Sequence, residues 1–180
     1  MMVSLEKLIE NYIYDYPQEK ASYNMLSLLR NVPDAFSTNN KEGHFTGSGW
    51  VVSPDKRKIL MTHHKTLSRW IQLGGHADGE NDLLRVALRE IKEESGLQLF
   101  KVVSKKIFDL DIHKIPKINA QLVHTHYDVR FLFEADPVKE SIVISSESHD
   151  VAWVPIEKVI TLNRERSIQR MIEKTLALVI

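Results

Sequence analysis

Glu90, Glu93 and Glu94 crowd the end of a stretch with helical periodicity running from Asp82 to Ser95. On a wheel of about 100° per residue, these carboxylates share a sector beside the apolar face of Leu84, Ala87, Leu88 and Ile91. Like charges at such spacings repel by roughly 0.2–0.5 kcal/mol per pair. The helix dipole also disfavours anions near the C-terminus. Folding alone would favour lysine there. A hard divalent cation removes the cost, because Mg2+ and Mn2+ take oxygen ligands from a few carboxylates and from substrate phosphates. A solvated acidic face is the blander reading of the same pattern. Arg89 lies one turn before Glu93 and can pair with it, which would hold that carboxylate in place.

The elements around this helix must position it. Gly96 suits the residue just past its end and Asn81 suits its N-cap. Before it, Trp70-Ile71-Gln72-Leu73 reads as a strand leading into a glycine turn, Gly74-Gly75-His76-Ala77-Asp78-Gly79. Further upstream, Phe45 to Val52 and Lys58 to His63 read as strands joined by the turn Ser53-Pro54-Asp55-Lys56. Downstream, strands are expected near Gln98 to Val103, Lys106 to Asp111, His124 to Glu134 and Val151 to Val154. A closing helix is expected from about Arg164, with Ile168, Met171, Ile172, Thr175, Leu176 and Val179 as its stripe. At the other end, Leu5, Leu8, Ile9, Tyr12, Ile13 and Tyr16 mark a helix over 4–16, with Ser4 as N-cap. A second helix runs from about Gln18 to Arg30, and residues 31–43 are polar and loop-like. The expected division is an N-terminal helical extension over 1–40 and a main domain over 41–180.

The run Arg89-Glu90-Ile91-Lys92-Glu93-Glu94-Ser95-Gly96-Leu97, with Gly74-Gly75 ahead of it, resembles the signature of the Nudix (MutT-like) hydrolases. That signature is a glycine, an early Glu, then Arg-Glu-apolar-x-Glu-Glu-x-Gly-apolar. The second half is complete here. The first departs by one position: counting from Gly75 puts Asn81 where the early Glu belongs, and counting from Gly74 finds Glu80 but leaves the gap to Arg89 one too long. Ile59 to Lys65, Trp70 to His76, Asp109 to Pro116 and His124 to Phe131 look like one bacterial subgroup of the family, so the likeness covers about residues 44–160.

The resemblance implies an α/β fold, a mixed β-sheet sandwiched between helices. It implies that Glu90, Glu93 and Glu94 hold Mg2+ or Mn2+ with help from a backbone carbonyl at Gly74. It implies attack of a metal-activated water on phosphorus, cleaving the diphosphate linkage of a nucleoside diphosphate derivative. Glu93, Glu94 and Arg89 would be catalytic. Family members take their base from this helix or from a later loop, and Glu147, in Ser145-Ser146-Glu147-Ser148, is the loop residue that fits; an exposed loop acid is the other reading. A non-catalytic Nudix-like nucleotide-binding or regulatory module is the alternative function; such modules commonly lose these glutamates. The isomerases that share the fold need a cysteine, and this chain has none.

His124, His126, Asp128 and Arg130 alternate along one strand, with Val129, Phe131 and Phe133 turned the other way. That polar face could line a substrate cleft, form a separate His-x-His-x-Asp metal site, or be a wetted sheet face. His76, His126, Asp128, Arg69 and Trp70 are the substrate-binding candidates. Tyr127 and Trp153 could also stack on a base, although Trp50 and Trp153 lie in apolar strands and suit a core.

Lys plus Arg equals Asp plus Glu at 24 each, which argues against bulk nucleic acid as a partner and leaves room for a local phosphate site. The absence of cysteine removes disulfides, thiolate zinc sites and thiol nucleophiles. No signal peptide or membrane-length apolar run is evident, so a cytoplasmic protein acting on a small molecule is expected. The N-terminal helices could serve a homodimer or roof the substrate.

Overall fold

The structure is a computed structural model, and it describes residues 3–40, 42–117 and 123–179. A mixed eight-stranded sheet carries helices on both faces, as the α/β expectation requires. At its centre, β1 (Gly43–Val52) runs parallel to β7 (His124–Ala135), in register from Gly43 opposite Thr125 to Val52 opposite Glu134. The other edge of β1 is shared. Its second half pairs antiparallel with β2 (Lys58–His64), and its first half pairs antiparallel with β4 (Leu73–His76). A short β3 (Arg69–Ile71) and β8 (Ser148–Pro155) flank β2, while β5 (Phe100–Val102) and β6 (Asp109–Ile115) flank β7.

Alternation along β1 explains the layering. Phe45 and Val51 enter one core, and Gly47 and Gly49 let α3 (Leu83–Ser95) approach, since a Cβ there would strike Val86 and Ile91. Trp50 and Val52 point to the opposite face, where α4 (Ile156–Leu162) and α5 (Arg166–Ala177) supply Ile156, Val159, Ile168 and Met171. There the Trp50 Nε1 donates to Thr175 Oγ1 at 2.9 Å.

The first two helices, α1 (Leu5–Asp15) and α2 (Lys20–Asn31), belong to the first core: Ile9 and Met25 are completely buried in it. Ser4 caps α1, its side chain accepting from the Lys7 N–H, as its sequence position suggests. Among the described residues, no helix is long and apolar enough to cross a membrane.

Several local expectations need correction. Gly74-Gly75 is a strand, and the turn falls later, at Asp78 and Gly79 with φ of 52° and 87°. The N-cap of α3 is Asp82, whose side chain accepts from the Arg85 N–H; Asn81 is exposed. The closing helix is preceded by α4, which is too short to show a periodic stripe. Within the stripe of α5, Leu176 and Val179 face solvent and Thr175 is buried.

Candidate active site

The last turns of α3, the strand β4 and the loop before β8 meet around a cleft of about 490 Å³. Glu90 and Glu93 line it from the helix, Gly74, Gly75 and His76 from β4, and Glu147 from the loop. The two glycines serve close approach. A Cβ on Gly75 would lie 2.6 Å from the Glu90 carboxyl carbon, and one on Gly74 would lie 2.8 Å from the Ser48 Cα. Strand β4 therefore lies against the carboxylates on one side and against β1 on the other.

The three helix glutamates differ in environment. Glu93 is exposed, Glu90 is half-buried, and Glu94 is buried with its Oε2 accepting the Gly74 N–H at 2.7 Å. Burial pushes the Glu94 carboxyl up to about 8 against that hydrogen bond, and the charges of Glu90, Glu147 and Glu93 add to the rise. Burial likewise raises Glu90, opposed by its contact with Arg89. This set of oxygens, crowded and partly desolvated, fits the donors a hard divalent cation takes. Among the described residues Arg89 is the cation that pairs with them, so the set carries excess negative charge that a bound cation would offset.

Arg89 is placed differently from the simple helical expectation. Its Nη2 donates to Glu90 Oε1 and to the His76 carbonyl, each at 2.7 Å, while its approach to Glu93 is a loose 3.8 Å. It thus ties α3 to β4 through Glu90. The irregular spacing around Glu80 also has a physical sense. Glu80 Oε1 accepts the Asp82 N–H at 3.0 Å, and Oε2 lies 3.5 Å from Arg85, so the residue braces the start of α3.

Asp128 reaches the cleft floor, but its carboxylate is already engaged. It accepts from Thr46 Oγ1 at 3.0 Å, Ser48 Oγ at 2.7 Å, Gln72 Nε2 at 3.0 Å and Arg130 Nε at 2.7 Å. It organises the floor and has no free lone pair aimed at a substrate. Arg69 and Trp70 are not brought to the cleft. Arg69 pairs with Glu165 at the surface, and Trp70 stacks on His63 and packs against the second core. Tyr127 lies edge-on to Phe45 in the first core, and Trp153 packs against that core too.

His76 and His126 do line the cleft, but their Nε2 atoms face each other at 3.2 Å, and His126 Nε2 is also 3.0 Å from His124 Nε2. Burial lowers the His76 imidazole and takes His126 down to about 2, with the neighbouring histidines adding to the latter. The residues that sequence reasoning missed are His44, Ser48, Thr46, Gln72 and His64. The pairings of β1 with β4 and β7 bring the first three into place, and no local periodicity signals them.

A family model described as NUDIX domain matches residues 43–175. No curated protein matches the sequence. Among solved structures, the chain is similar to the MutT protein from Methanosarcina mazei Go1 (TM-score 0.55, 16% identity, 77% of this chain and 96% of that one). It is similar to a C. elegans Ap4A hydrolase in a binary complex (TM-score 0.54, 14% identity, 75% and 96%). It is also similar to the NUDIX domain of Shewanella oneidensis NrtR complexed with ADP ribose (TM-score 0.52, 18% identity, 86% and 97%). At these identities the likeness is one of fold.

Proposed function

The chain belongs to the NUDIX domain family, and from that premise we propose that it is a divalent-metal-dependent hydrolase of the diphosphate linkage in a nucleoside diphosphate derivative. The observation that carries the reading is the meeting of Glu90 and Glu93 with Glu147 in one cleft, with Glu94 buried at the adjoining strand. Glu90, Glu93 and Glu94, with the backbone at Gly74, would hold Mg2+ or Mn2+. When bound there, such a cation would supply charge neutralisation of the diphosphate and a lowered pKa for the attacking water.

The residues of the chain supply the rest. Arg89 fixes Glu90 against β4 through its paired 2.7 Å contacts. Glu147 takes the proton from the attacking water, whose oxygen bonds to phosphorus as the anhydride P–O bond breaks. The protonated carboxyl then returns its proton to solvent or to the leaving phosphate. Asp128 holds the floor rigid, and His76 and His126 form part of the wall.

One similar protein is named as an Ap4A hydrolase and another was crystallised with ADP ribose, which makes such nucleotides the first substrates to try. The test is a screen of ADP ribose, Ap4A, nucleotide sugars and coenzyme A, with the Mg2+ concentration varied. Release of a nucleoside monophosphate or phosphate-bearing product only when Mg2+ is present is the expected result. Tight binding of a diphosphate without turnover would support the non-catalytic module instead.

A further inference from the structure

Four histidines converge where β4, β1 and β7 meet: His44 from β1, His76 from β4, and His124 and His126 from β7. The strand pairings place them there, since His44 is in register with His126. One nitrogen from each ring lies within 4.8 Å of all the others. We propose that these four imidazoles bind one Zn2+ as a closed, four-nitrogen site, separate from the carboxylates of α3.

His44 gives the clearest sign. It is 1% exposed, and its Nδ1 donates to the Asn40 carbonyl at 3.2 Å. A carbonyl only accepts, so Nδ1 carries the proton; in the neutral ring Nε2 then carries a bare lone pair. That Nε2 is buried and has no hydrogen-bond partner among the described residues. Metal-bound histidines characteristically donate their other N–H to a backbone carbonyl in this way. A buried acceptor left unmatched is otherwise costly.

The contacts among the other rings point the same way. His126 Nε2 lies 3.0 Å from His124 Nε2 and 3.2 Å from His76 Nε2. A ring nitrogen has one lone pair or one N–H, so it makes one good hydrogen bond, and two such neighbours exceed it. A shared cation satisfies every lone pair at once. At a zinc–nitrogen distance of about 2.0–2.1 Å, tetrahedral ligand atoms sit roughly 3.3 Å apart, close to the 3.0 and 3.2 Å that separate His126 Nε2 from His124 and His76 and within the 4.8 Å span of all four. An anion would need N–H groups aimed inward, which a neutral His44 with its proton on Nδ1 does not provide at Nε2. Imidazole nitrogens suit Zn2+, whereas Mg2+ prefers oxygen. Asp128 is no part of the set, because its oxygens are held by four other donors.

The ion would staple β4 to the central strands. It would fix His76, whose carbonyl receives Arg89, and so steady the strand that faces Glu90.

The test titrates the chelator-stripped full chain with Co2+ alone and reads its visible absorption. One equivalent should give the intense spectrum of tetrahedral cobalt, and one equivalent of Zn2+ should abolish it. A variant carrying Glu90→Gln, Glu93→Gln and Glu94→Gln should keep the spectrum. His76→Gln and His126→Gln should each lose it or weaken Co2+ binding at least tenfold. In the wild type, the imidazole nitrogen resonances of the four histidines should shift with one equivalent of Zn2+, a readout that needs no variant to fold. A faint octahedral spectrum in the wild type, loss of the band with the glutamates, or unmoved histidine resonances would overturn the site. These outcomes are independent of whether the protein hydrolyses anything.

Discussion

On the proposed function the chemistry turns on Glu90, Glu93, Glu94 and Glu147, which are not equally legible in the sequence. The helix glutamates could be read because periodicity within one helix is local. The partner of Arg89 could not, because the His76 carbonyl that holds Arg89 and the Gly75 backbone that the Glu90 carboxylate lies against are on a different element. His44 was invisible for the same reason: its neighbours are fixed by the register between β1 and β7. At this scale the base can be tested. Glu147→Gln should lower kcat by about 10²–10⁴, the usual contribution of a general base, while the Mg2+ concentration needed for half-maximal rate stays the same. An unchanged kcat would make Glu147 an ordinary loop acid.

Between elements, the glycines of β4 decide how closely the strand and α3 approach. In sequence, Gly74-Gly75 looked like a turn because glycine marks turns. Here the pair is used for its missing side chains, and the strand is recognisable only from its pairing with β1. The two positions should respond differently to alanine. At Gly75 the new Cβ would meet the flexible end of Glu90, 2.6 Å away, so the carboxylate moves. Gly75→Ala should therefore weaken Mg2+ activation with little change in melting temperature. At Gly74 the obstacle includes the Ser48 Cα at 2.8 Å, which cannot step aside. Gly74→Ala should cost about 1–3 kcal/mol of stability, measured by urea unfolding. Equal thermal stability in the two variants would contradict this reading. Helix α4 escaped detection because it offers only Ile156 and Val159 to the core, too few for a periodic signal.

Across the whole molecule, a buried ionic network joins the first helix to the last. Asp109 is fully buried and accepts from Arg170 Nε at 2.7 Å and Lys174 Nζ at 2.8 Å, with Arg130 Nη1 at 3.3 Å and the Tyr12 hydroxyl at 3.4 Å. Asp109→Asn leaves these cations facing a neutral group. Breaking a buried pair in this way typically costs about 3–5 kcal/mol, so a loss of that size is expected in denaturant unfolding. The same network predicts a pH response. Burial tends to raise the Asp111 carboxyl, but the His113 hydrogen bond and the nearby Arg130 outweigh it and hold the group below its ordinary value. Its ionised form therefore adds stability that is complete above the unfolded value of about 3.9 and is lost as the pH falls through the lower folded value. Unfolding free energy should drop in acid, and Asp111→Asn should flatten that drop. Amphipathic patterning disclosed the two N-terminal helices, but not that Ile9 and Met25 share a core with the sheet, because an apolar stripe does not name the surface that covers it.

The most direct test of the central claim is the Mg2+-dependent turnover of the best diphosphate substrate by Glu94→Gln, compared with the wild type at matched protein and Mg2+. Losing a cation ligand removes several kcal/mol of transition-state stabilisation, so kcat should fall by about two orders of magnitude or more, with circular dichroism and melting showing an intact fold. A correctly folded Glu94→Gln protein that turns over substrate at the wild-type rate would contradict the account.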